Sequence, residues 1–119
     1  MSTPLNKAVN PSRPVIWIGA SGSRYEFYNA PIGTPLAPIP GVYIFCYWTP
    51  TGWEPVYVGE TDDLSRRLGD GLTGHHRLED IKRVGATHIS AVGIAGDRTR
   101  RLDVETDLRQ HLNPPCNKQ

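Results

Sequence analysis

Two aromatic triplets, Gly41-Val42-Tyr43 and Tyr57-Val58-Gly59, are the residues of this chain best suited to chemistry. Each lies in an apolar run that reads as a strand. Thr49-Pro50-Thr51-Gly52 between them reads as a turn, so the runs pair as a hairpin. Beyond the second triplet, Asp62, Asp63, Leu64 and Arg66-Arg67 read as the start of a helix. Phenols on two neighbouring strands and a guanidinium on the helix would then share one surface. That set suits a phosphodiester, because the planar fork of an arginine matches phosphate oxygens bidentately.

Helix geometry separates the two arginines. Adjacent residues point about 100° apart, so only one of them faces the tyrosines. Leu64 and Leu68 share a face, and Arg67 neighbours it through Leu64. Arg67 is therefore expected inward and Arg66 in solvent. Further on, Leu102, Val104, Leu108 and Leu112 are expected to form the apolar stripe of a final helix, with Glu105 at its edge. This carboxylate either pairs with Arg101 or Arg109, or it lines a site. One carboxylate suffices to hold Mg²⁺, an ion that keeps several waters and takes substrate phosphate as another ligand. His75 and His76 follow Gly74 in a turn. An imidazole there could bind a phosphate or carry a proton; the plain alternative is an exposed turn. His88 and His111 lack zinc spacing and receive no role.

The elements that must position these groups follow from pattern. Residues 1–14 read as a loose arm. Val15–Ile18 and Arg24–Tyr28 read as a hairpin about the turn at 19–23, and residues 30–40, with four prolines, as an extended connector. Strands are expected over 41–48, 54–59 and 87–94. The first helix is expected to start from Thr61 or Asp62 as N-cap and to break at Gly69 and Gly71. A second helix spans 76–84 with Gly85 as C-cap. The last runs from an Asp97 cap to Leu112, before Pro114-Pro115. The order gives an α+β fold: a small central, mostly antiparallel sheet flanked by helices, with an N-terminal β-hairpin extension. The segments divide as arm (1–14), hairpin and connector (15–39) and main domain (40–118).

At 119 residues the length fits one domain, and 38% hydrophobic with 21% charged residues is a globular composition. A net charge of +1 excludes a global basic field, so a nucleic-acid surface would be a local patch. Cys46 and Cys116 form no CxxC and read as reduced thiols. No apolar run is long enough to span a bilayer, and a cytoplasmic location is expected.

Taken together, the residues resemble the GIY-YIG nuclease family over about residues 40–118. The two triplets look like its name-giving motifs, with valine at each centre. Arg67, eight positions after Gly59, matches the family arginine, and Glu105 falls where the family carries its metal-binding glutamate. Asn117, after Pro114-Pro115, is similar to the asparagine that ends the module. His75 or His76 matches the histidine of some members. The resemblance implies hydrolysis of DNA with one Mg²⁺ or Mn²⁺ on Glu105. It implies that Tyr43, with Tyr57, helps activate water, that Arg67 stabilises the scissile phosphate, and that Asn117 ties the C-terminal end to the site. Gly41 and Gly59 would be structural. A monomer or weak homo-oligomer is expected.

Trp17, Tyr25, Phe27, Tyr28, Trp48 and Trp53 could stack unpaired bases, which points to structure-selective or single-stranded substrates; the plain alternative is that most of these rings are core. Two other readings are a nucleic-acid-binding module that does not cut and a protein-interaction domain. Metal-dependent cutting and salt-sensitive binding separate the three.

Overall fold

Four antiparallel pairings join five strands into one sheet. They are β1 (Val15–Ile18), β2 (Arg24–Pro31), β3 (Gly41–Thr49), β4 (Gly52–Thr61) and β5 (His88–Gly93), in spatial order β1-β2-β5-β3-β4. The structure is a computed structural model that describes residues 14–70 and 75–117. A π-helical turn (Arg66–Asp70) follows β4. Helix α1 covers Leu78–Val84, α2 covers Arg98–Leu112, and a 3₁₀ turn covers Pro115–Asn117. The expected arm lies almost wholly outside the described residues, as do Gly71, Gly74 and residue 118. The hairpin of β1 and β2 is built into the sheet, since Tyr28–Pro31 pair with His88–Ala91 of β5.

Alternation along β3 divides the core in two. Tyr43 and Phe45 point to one face, where Leu64, Leu68 and Ile81 pack. Val42, Ile44 and Cys46 point to the other, where Val104 and Leu108 of α2 pack with Trp17 and Phe27. Pro55 is tolerated because β4 is an edge strand with a bulge opposite Phe45/Cys46. Gly85 takes the left-handed conformation (φ 110°) that ends α1, and Asp97 caps α2 by accepting the Arg100 amide.

Several expectations are corrected. The helix after β4 is capped by Asp63, whose Oδ1 accepts the Arg66 amide at 3.0 Å, rather than by Thr61 or Asp62. Thr61 instead accepts the Asp63 amide and sets the turn. The segment then widens into the π turn through Gly69 instead of breaking there. Helix α1 starts at Leu78 and leaves both histidines ahead of it. On α2, Leu102 is exposed; Arg101 takes the buried place between the apolar residues. Trp17 and Phe27 are core, so neither can stack a base; the Trp17 indole donates to buried Ser90 Oγ at 2.9 Å.

Candidate active site

The register between β3 and β4 sets the two phenols in place. Tyr43 sits opposite Gly59, and Phe45 opposite Tyr57. A Cβ on Gly59 would come within 2.5 Å of Tyr43 Cζ and Oη, so the glycine makes room for the ring. Tyr57 lies diagonally, its ring centroid 6.3 Å from that of Tyr43. Gly41 has a matching constraint, because a Cβ there would strike the Val92 carbonyl oxygen and the Leu64 side chain.

His75 closes the site from the segment before α1. It is 4% exposed and stands edge-on to Tyr43, Phe45 and Tyr57. Tyr43 Oη is 2.9 Å from its Nε2, and the Arg77 amide donates to its Nδ1 at 3.2 Å. An Nδ1 that accepts carries no proton, so the neutral ring holds its proton on Nε2 and donates to Tyr43. Burial, with Arg67 and His76 nearby, lowers the His75 pKa to about 4, which keeps the ring neutral. His76 is exposed, stacks on His75 with centroids 5.2 Å apart, and reaches Arg67 Nη2 at 3.3 Å through Nδ1. The structure thus separates two histidines that spacing left equivalent.

Arg67 is half-buried and lies close enough to Tyr43 to pull its pKa down, while Arg66 faces solvent and pairs with Asp62 at 2.7 Å. Burial raises the Tyr43 pKa above the ordinary value; Arg67 pulls it down, and Tyr57 and Glu105 push it up. Burial and then Glu105 also raise Tyr57, against Arg67, Arg77 and Arg109. The phenol of Tyr57 makes no hydrogen bond to a described residue. The positive neighbour expected to acidify a phenol is present at Tyr43, and burial outweighs it. Both phenols are neutral donors at pH 7.

Glu105 belongs to the same site, since its charge bears on both phenols. It is half-buried and forms neither a hydrogen bond nor an ion pair with any described residue. Burial raises its pKa, Arg109 and Arg98 lower it, and Glu60 adds to the rise. Arg101, a partner expected from the sequence, is taken by Glu60 at 2.9 Å. A carboxylate left open in this way suits a hard divalent cation. Among the described residues no group of three or more His, Cys, Asp or Glu gathers, so a cation here would rest on Glu105 with oxygens from water and a phosphate.

Asn117 fastens the C-terminal turn to β4. Its Oδ1 accepts the Val58 amide at 2.7 Å and its Nδ2 donates to the Val58 carbonyl at 2.9 Å. The residue missed by sequence reasoning is Glu60, which binds both Arg98 and Arg101. No local signal could reveal it, because its partners lie about forty positions away.

The fold matches solved structures of the GIY-YIG N-terminal endonuclease domain of UvrC from Thermotoga maritima. The magnesium-bound domain aligns at TM-score 0.53 and 25% identity, covering 69% of this chain and 86% of that one. Two point mutants bound to the catalytic divalent cation align at TM-scores 0.56 and 0.53, with 23% and 26% identity. They cover 70% and 69% of this chain and 87% and 86% of theirs. No protein-family model and no curated protein matches the chain.

Proposed function

We propose that this chain, which carries the GIY-YIG nuclease fold, is a metal-dependent endonuclease that hydrolyses DNA phosphodiester bonds. The observation that carries this reading is the open, half-buried Glu105 carboxylate, electrostatically coupled to Tyr43 and Tyr57.

Tyr43 is the phenol equipped to lose a proton. Its oxygen receives a donor from His75 Nε2 and lies near the Arg67 charge, and both favour the phenolate. Tyr43 would accept the proton of the attacking water once in that form. Tyr57, with an unengaged phenol, orients the water or a phosphate oxygen. Arg67 holds the scissile phosphate and meets the charge that grows on it. Glu105 would hold Mg²⁺ or Mn²⁺, which supplies charge neutralisation at the leaving oxygen. Asn117 keeps the strand that bears Tyr57 and Gly59 in register.

For substrate we favour single-stranded or branched DNA. Trp48 is 62% exposed and stands edge-on to Trp53, with centroids 5.3 Å apart, a pair of rings able to take an unpaired base. A cytoplasmic monomer or weak homo-oligomer fits this reading, with Cys46 and Cys116 as free buried thiols. No described helix is long and apolar enough to cross a membrane.

The test is a nuclease assay on labelled single-stranded, duplex and branched DNA, with Mg²⁺ and with EDTA. Cutting that needs Mg²⁺ and disappears in Glu105→Ala is expected. DNA binding without cutting under every condition would make the chain a binding module.

A further inference from the structure

Four residues of α2 fall on one face at i, i+3, i+7 and i+11: Arg98, Arg101, Glu105 and Arg109. Glu105 stands among arginines on that face. On its N-terminal side lies a cleft of about 480 Å³ lined by Glu60, Thr61, Asp62, Arg66, Arg67, Arg98 and Arg101. Four arginines face two carboxylates there. Arg67 lines this cleft and its charge also bears on Tyr43, so the cleft adjoins the site described above.

Two of these arginines, exposed Arg98 and buried Arg101, share one carboxylate. Glu60 Oε1 accepts from Arg101 Nε at 2.9 Å, and Oε2 from Arg98 Nε at 3.2 Å. Arg101 is only 6% exposed. Each arginine uses Nε for Glu60, and neither Nη1 nor Nη2 of either one hydrogen-bonds to a described residue. A single carboxylate between two guanidinium groups leaves the trio with net positive charge. Were the pairing only structural, one arginine would have neutralised Glu60. The second, with its terminal donors open on a polar cleft, is a seat for an anion.

We propose that this cleft holds a second backbone phosphate of the strand being cut, next to the scissile one. Arg98 and Arg101 donate through their terminal nitrogens, Arg66 stands at the rim, and Glu60 acts as the positioning residue that aims both guanidinium groups. Arg101 and Glu105 are four residues apart on the helix, about 6 Å along its axis, which is of the order of one nucleotide step. The seat explains how a chain of net charge +1 would grip DNA: the basic groups are gathered beside the site instead of spread over the surface. The inference rests on the nuclease reading above.

The test uses the full chain and a single-stranded oligonucleotide of mapped cleavage position, with binding read by anisotropy in EDTA. One neutral methylphosphonate linkage is walked across the scissile region. In wild type, a neutral linkage beside the scissile bond is expected to weaken binding roughly ten- to hundred-fold, the range for one charged hydrogen-bonded contact. Arg98→Ala should bind the unmodified strand more weakly by a similar factor and lose nothing further from that same linkage. Its slope of log affinity against log salt should fall by about 0.7. Arg100→Ala, on another face of α2, should behave as wild type. Glu60→Gln should also weaken binding of the unmodified strand, because both guanidinium groups lose the carboxylate that aims them. Equal sensitivity of wild type and Arg98→Ala to every neutral linkage would overturn the seat, and the nuclease reading would stand if wild type still cut. A wild type that neither bound nor cut DNA would remove both.

Discussion

Tyr43 Oη and His75 Nε2 are 2.9 Å apart, and the Arg77 amide on Nδ1 makes the histidine the donor. The phenol oxygen of the proposed base thus accepts a hydrogen bond before any substrate arrives. Its own proton stays free to leave in another direction.

This relationship predicts different behaviour for two substitutions. Tyr43→Phe removes the base and should lower kcat by about 10²–10⁴-fold. His75→Ala leaves the phenol but removes a donor that favours its anion. Activity should fall less, and the rise of rate with pH should move to higher pH. A pH–rate profile of both variants checks this; an unmoved profile in His75→Ala would detach the histidine from Tyr43.

Glu105 gives a prediction about stability as well as rate. A half-buried carboxylate with a raised pKa weakens the metal-free fold as it ionises, so that part of the stability is lost as pH rises through its folded pKa. In EDTA at neutral pH, Glu105→Gln should melt at or above the wild-type temperature. Added Mg²⁺ should raise the melting point of wild type and not that of the variant. Cleavage should vanish in Glu105→Ala with DNA binding largely retained.

Arginine placement predicts an asymmetry between neighbours. Arg67→Ala should cost orders of magnitude in rate. Arg66→Ala removes only an exposed pair with Asp62 and a rim contact, and should leave the rate on saturating substrate near wild type. Single-turnover kinetics on the same oligonucleotide compares them; equal losses would refute the inward assignment of Arg67.

Acid should weaken the fold in a defined window. The folded His75 titrates at about 4 against an ordinary value of 6.5. Between those values the unfolded chain binds a proton that the folded chain does not, so stability falls as pH drops from 6.5 towards 4. The full shift sets a ceiling of about 3 kcal/mol, reduced by solvent screening. Thermal melts of His75→Gln should be flatter across this window. The loss associated with Asp107, whose pKa is held low by hydrogen bonds from Tyr25 and Ser21, comes only below pH 3.8.

Legibility in the sequence follows the range of the forces. Strand alternation, the Asp97 cap and the left-handed Gly85 are local, and they read correctly. Leu64 and Leu68 are both buried on the face their spacing implies. The place of Leu102 did not read correctly, since Arg101 is buried by a carboxylate on a distant strand. Choosing between His75 and His76 needed the aromatic nest that three strand residues build around one ring. For Trp17 and Phe27 the choice between base stacking and burial stayed open, because neither strand shows what packs on it; α2 does.

The Asn117 amide imitates one residue of a missing sixth strand. It occupies both outward-facing backbone groups of Val58 on the border strand of the sheet. That rung is denied to any other chain that would add to the border by backbone pairing. An Asn117→Ala protein would therefore face two separate hazards, slackened catalytic geometry and self-association, and light scattering would distinguish the second from the first.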